Sequence, residues 1–129
     1  QKLARKKIDN IKVKNFDISK MMEICEDAYE VLLNSNNKDF IYLFAKLLNK
    51  QWYLKKQLDK ITTNKMIDDL YSRAIKHGSL AGKILGAGGG GFLLLITDPK
   101  KQSNICSKLN VKQVNFKFET KGSKIILNS

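Results

Sequence analysis

The sequence predicts an α+β domain in which helices pack on one face of a small, mostly antiparallel sheet. Apolar residues recur at helical spacing through the first part of the chain, then give way after Gly78 to short apolar runs divided by glycine. One helix-like segment separates those later runs, and helices followed by strands in this order indicate a helical layer covering a sheet.

Each element has its own signal. After Asp17, an N-cap residue type, Met21, Ile24, Cys25, Ala28, Val31 and Leu32 form one apolar stripe, which "NSNNKD" breaks. A second helix is predicted from about Lys38 to Lys60, with Ile41, Phe44, Ala45, Leu48 and Trp52 along one face and Lys55 and Lys56 continuing it. "TTN" begins a third helix with the stripe Ile67, Leu70, Tyr71 and Ala74, closed by Lys76, His77 and a C-terminal Gly78. "GKILGAG" and "GFLLLITD" are too short for helices and read as extended segments. Asp98 and Pro99 open a short helix to about Leu109. "VKQVNFKFE" alternates, with Val114, Phe116 and Phe118 on one side, and "KIILN" is a last strand. A thin stripe of Leu3, Ala4, Ile8 and Ile11 marks a further helix at the start.

At 129 residues and 43% hydrophobic, the chain has enough apolar material for one domain core and too little for two. Its 24 basic residues against 12 acidic ones give a net charge of +12, which suits an anionic partner. The lysines are spread along the chain, so solvated faces account for much of this charge. Cys25 and Cys106 lack the spacing of a metal site or disulfide framework, and a reducing cytoplasm is the expected setting. No stretch has the roughly 18 apolar residues of a membrane span.

"KILGAGGGGFLLLI" concentrates the functional signal. Gly86, Gly88 and Gly91 satisfy G-x-G-x-x-G, but the dinucleotide fingerprint opens a helix, and Phe92 to Ile96 reads as a strand. A phosphate-binding P-loop is excluded because Phe92 and Leu93 stand where its Lys and Ser or Thr belong. A glycine-rich hairpin turn remains as the plain structural reading. Five glycines in six positions nevertheless carry an entropic cost that an ordinary turn does not require, so a second surface approaching this backbone is expected.

"GKILGAGGGGFLLLI" resembles the third motif of the GHMP small-molecule kinases, the glycine-rich loop of their C-terminal domain. With "LLNKQWYLKKQL", "IDDLYSRAIKHGSLAGKILGAGGGGFLLLI" and "FKFETKGSKIIL", the chain from about Asp17 to Leu127 is similar to those members that phosphorylate D-glycero-D-manno-heptose 7-phosphate at the anomeric oxygen. The resemblance implies that residues 1–129 are a C-terminal domain whose N-terminal nucleotide-binding domain lies outside this chain. Its catalytic residues would lie there, ATP and Mg2+ would serve the intact enzyme, and the fragment alone would be inactive without tight binding of either. Gly86, Ala87, Gly88, Gly89, Gly90 and Gly91 would support the phosphate-binding loop and form one wall of the active site.

The resemblance also places Trp52, Lys55 and Lys56 beside the sugar, with one of the lysines on substrate phosphate. A core tryptophan with solvated lysines is the competing reading. Lys83 matches a basic position of the motif and either faces an anionic ligand or sits at a strand edge. His77 reads as a helix cap, and the cysteines as small core residues. The expected partners are sugar phosphate and ATP, without a membrane, and the surface bared by separation from the other domain would offer a homodimer contact. Two other classes stand against the kinase: a polyanion- or nucleic-acid-binding module, disfavoured by aromatics that fall on apolar stripes, and a non-catalytic regulatory relative.

Overall fold

The computed structural model describes residues 15–34, 39–58 and 60–124. Two long helices come first, α1 (Asn15–Leu33) and α2 (Phe40–Leu58), followed by a 3-10 turn at Lys60–Thr62 and helix α3 (Lys65–Lys76). Strands β1 (Ser79–Leu85) and β2 (Phe92–Thr97) form an antiparallel hairpin, and a 3-10 turn at Pro99–Lys101 leads into α4 (Gln102–Leu109). This is the predicted α+β arrangement with a two-stranded sheet. The leading stripe Leu3 to Ile11 lies outside the described residues.

The helix signals worked where a cap could be read directly. Asn64 caps α3 by accepting a hydrogen bond from the Ile67 N–H at 3.0 Å. At the other end the His77 N–H donates to Arg73 O, and Gly78 leaves the helix with φ 106°. A Cβ at Gly78 would also stand 2.8 Å from Lys101 Cδ. Asp98 caps the turn before α4, with its side chain accepting from Lys100 N–H at 2.8 Å. Asn15 and Phe16 are already helical, so Asp17 lies inside α1 and is not its cap.

Strand pairing sets the core. Gly82 faces Leu95 and Ile84 faces Leu93 across the hairpin, and the alternation of side chains puts these four positions on one face. Trp52 from α2, Ile67 and Tyr71 from α3, Ile84 and Leu93 make one apolar cluster. Ala74, Leu70, Ile105, Leu109 and Leu95 make the second, so α4 closes the sheet end opposite the loop. Gly82 lets this packing close: a Cβ there would lie 2.7 Å from Leu95 Cδ2 and 2.8 Å from Leu94 O. Asn49 joins the layers by donating to Leu80 O at 2.9 Å while accepting from the Tyr71 hydroxyl at 2.7 Å.

Several expectations need correction. Residues 111–119 form no strand, and Val114, Phe116 and Phe118 are exposed. Val111–Val114 and Phe116 line one side of a cleft of about 220 Å³ whose other side is β2 and α4. The alternation survives only locally, as an edge-to-face contact of Phe116 and Phe118 with centroids 5.5 Å apart. Period-two patterning reports an extended chain with two sides and carries no information about whether a strand edge is available to it. The "KIILN" strand falls almost wholly on residues 125–129, outside those described. On α1, Met21, Ile24, Ala28 and Val31 are half-buried, whereas Cys25 and Leu32 are exposed. Cys106 is half-buried, so neither cysteine is a core residue.

Candidate functional site

The hairpin closes through Gly86, Ala87, Gly88, Gly89, Gly90 and Gly91. Gly86, Gly88, Gly89 and Gly91 have φ of 87°, 93°, 75° and 100°, values that an L side chain disfavours. Gly90 lies outside that region. Among the described residues, a Cβ at Gly86 or Gly90 would meet nothing within 4 Å. Neither strain nor crowding by the described residues therefore explains the glycine at position 90, and both positions present bare backbone away from them.

The loop is anchored on its inner side. Gly89 N–H donates to Thr62 O at 3.1 Å, and the Asn64 side-chain amide donates to Gly89 O at 3.2 Å. Between those anchors, Thr63 Oγ1 donates to Asp68 Oδ1 at 3.1 Å, and the same oxygen receives Lys56 Nζ at 3.2 Å. The connector 62–64 thereby links α2, the first turn of α3 and the loop. Because the Gly89 amide is committed to Thr62, Gly89 supports the loop's shape and does not donate outward. Thr62, Asn64 and Asp68 were not singled out from the sequence as site residues. The available signal was an asparagine cap, the one common cap residue that keeps two N–H donors after its oxygen has capped the helix.

Trp52 is 1% exposed and packs on Tyr71 with ring centroids 6.5 Å apart. It is a core residue, and its ring has no face free for a sugar in this structure. Lys56 lies 5.9 Å from the Trp52 ring centroid and 6.0 Å from that of Tyr71, besides its contact with Asp68. Its ammonium is thus already paired with a carboxylate and lies beside two rings. Burial also raises the Tyr71 phenol pKa above its ordinary value.

Lys83 lies elsewhere, in a cleft of about 150 Å³ between α1, α2 and β1, lined by Ile24, Ala28, Phe44, Leu47 and Leu48 among others. Its Nζ donates to Gln51 Oε1 at 2.8 Å. Burial lowers its pKa, the Lys55 ammonium lowers it further, and Cys25 opposes the shift. Lys83 thus meets Gln51 in this cleft, whereas Lys56 meets Asp68. His77 is the C-cap of α3, as its position in sequence predicts. Among the described residues no group of three His, Cys, Asp or Glu side chains is placed to hold a metal ion, and no helix is long and apolar enough to cross a membrane.

A helix-covered hairpin closed by an outward-facing glycine loop defines the class of domain. Residues 35–114 match the family described as GHMP kinases C terminal, and the chain belongs to that family. It is 35% identical over 107 residues, 81% of this chain, to D-glycero-alpha-D-manno-heptose 7-phosphate kinase of Campylobacter jejuni subsp. jejuni. It is 28% identical over 102 residues, 78% of this chain, to the bifunctional fucokinase/GDP-fucose pyrophosphorylase of Arabidopsis thaliana. The chain spans 31% of the length of the first relative and 9% of the second.

Proposed function

We propose that this chain is the C-terminal domain of an ATP- and Mg2+-dependent sugar kinase that phosphorylates D-glycero-D-manno-heptose 7-phosphate at its anomeric oxygen in the cytoplasm. The observation that carries the reading is the loop itself, anchored inward at Gly89 and open outward at Gly86 and Gly90, in a chain related to a heptose 7-phosphate kinase. Open Cβ positions at two glycines fit a backbone surface against which a phosphate-binding segment packs. ATP supplies the transferred phosphoryl group. This chain's part is to hold the wall of the site in shape, to exclude water from it, and to place cations beside an anionic substrate. Lys83, with the Lys55 charge acting on it, is the proposed contact for the substrate phosphate, since Lys56 already meets Asp68.

The test is a phosphorylation assay of the full-length protein that contains this chain, with MgATP and a panel including heptose 7-phosphate and fucose. The proposal expects preferential turnover of heptose 7-phosphate. Preferential turnover of an unphosphorylated sugar would overturn the substrate assignment, and no turnover of any sugar would overturn the kinase reading.

One observation favours a second reading, polyanion binding. Phe116 and Phe118 are exposed, so they do not join the core as their alternation predicts, and Lys112, Lys117, Lys121 and Lys124 are exposed around them. Exposed aromatics interleaved with lysines suit single-stranded nucleic acid. Filter binding across a salt titration separates the readings: tight, steeply salt-dependent binding supports the second, and weak binding leaves the kinase alone.

A further inference from the structure

We infer that Asn64 is a positioning residue that holds the glycine loop to the N-terminus of α3, so that one side chain performs two separable tasks. The inference rests on the kinase reading for its effect on turnover, although the loop contact itself does not depend on that reading. The Oδ1 atom accepts the Ile67 N–H at 3.0 Å and caps the helix. A backbone N–H can only donate, so the side-chain orientation follows from this contact and the amide nitrogen is left as the donor to Gly89 O at 3.2 Å. The Gly89 N–H donates to Thr62 O at 3.1 Å. The peptide units on both sides of Gly89 are consequently held by residues two apart in one short connector.

Capping alone does not require asparagine, because aspartate and serine accept the N-terminal amides as well. The second contact does. Aspartate has no donor at neutral pH, and a serine hydroxyl is too short to replace the amide. Four loop glycines with left-handed φ have many alternative conformations, so two hydrogen bonds at the loop's centre select one of them. Lys56 from α2 and Thr63 of the connector meet on Asp68 of α3, which braces the connector against both helices. Asn64 thus couples the shape of the loop to the rigid helical layer.

Asn64→Asp and Asn64→Ser separate the tasks in the full-length protein. Both keep the cap and remove the loop contact, and Ser does so without adding charge. The expected result is an unchanged melting temperature, faster amide hydrogen exchange in a peptide covering residues 86–91, and a kcat reduced about tenfold with KM for both substrates little changed. Asn64→Ala, which removes both contacts, should in addition lower the melting temperature. Unchanged loop exchange in both cap-preserving variants would overturn the inference, as would a loosened loop with wild-type kcat. Failure of the kinase reading would appear differently, as a wild-type protein without turnover whose loop exchange still responds to Asn64→Ser.

Discussion

Lys83 Nζ donates to Gln51 Oε1 at 2.8 Å across the interface between β1 and α2, which places an ammonium group in an otherwise largely apolar cleft. Burial, with the nearby Lys55 charge, favours the neutral amine and lowers the pKa. The unfolded chain therefore binds more protons than the folded one between the lowered pKa and the ordinary value of 10.5, and Lys83 makes stability rise with pH across that window. Below the window both states are charged and its cost is constant. Lys83→Met should raise stability at neutral pH and remove this rise, as chemical denaturation followed from pH 7 into the alkaline range would show. Unchanged pH dependence in the variant would contradict the assignment.

The same lysine is predicted to contribute to substrate affinity. An anion entering beside Lys83 and Lys55 relieves their mutual repulsion, so Lys83→Met in the full-length enzyme should raise KM for the sugar phosphate about tenfold, with KM for ATP unchanged. A parallel rise in both constants would indicate a structural role only.

Trp52 offers a clean separation of core from site. Its burial against Ile67, Ile84 and Tyr71 predicts that Trp52→Ala lowers stability by about 3–5 kcal/mol in denaturant unfolding. Trp52→Phe should cost less, partly because the buried indole N–H has no hydrogen-bond partner among the described residues. In the full-length enzyme Trp52→Phe should leave KM for the sugar phosphate nearly unchanged. A markedly raised KM for the sugar phosphate in that folded variant would restore the direct sugar contact.

Gly82 is predicted to be intolerant for an internal reason. A Cβ would collide with the Leu94 carbonyl at 2.8 Å, which is backbone and cannot rotate away. Gly82→Ala should destabilise the domain by about 1–3 kcal/mol in urea unfolding. A variant as stable as wild type would show that the hairpin shifts freely under α3.

The residues explain how far sequence reading reached. Asn64, Gly78 and Asp98 were legible as boundaries because caps and turns act over a few residues, and the Ile67–Ala74 stripe was legible because its periodicity reports one buried face. Phe116 and Phe118 misled because strand formation depends on a distant edge. Trp52 and Lys56 share a helical segment, and only the packing of α2 on α3 reveals that Tyr71 and Asp68 occupy them. The glycine run predicted a backbone that another surface approaches, and the left-handed φ at four of its positions is read only from the structure. The fixing of Gly89 by Thr62 and Asn64 was not legible either, since it joins residues 25 to 27 positions apart.

The central claim is that the glycine loop is a wall approached by another part of the enzyme, and Gly90→Ala tests it most directly. Gly90 has no left-handed φ, and among the described residues no neighbour lies within 4 Å of an added Cβ, so the substitution should alter stability by less than about 0.5 kcal/mol. Side by side, full-length wild type and variant should show matching unfolding curves and a turnover at least about tenfold lower in the variant. Matching unfolding curves with equal turnover would mean that nothing approaches this backbone, and would contradict the account.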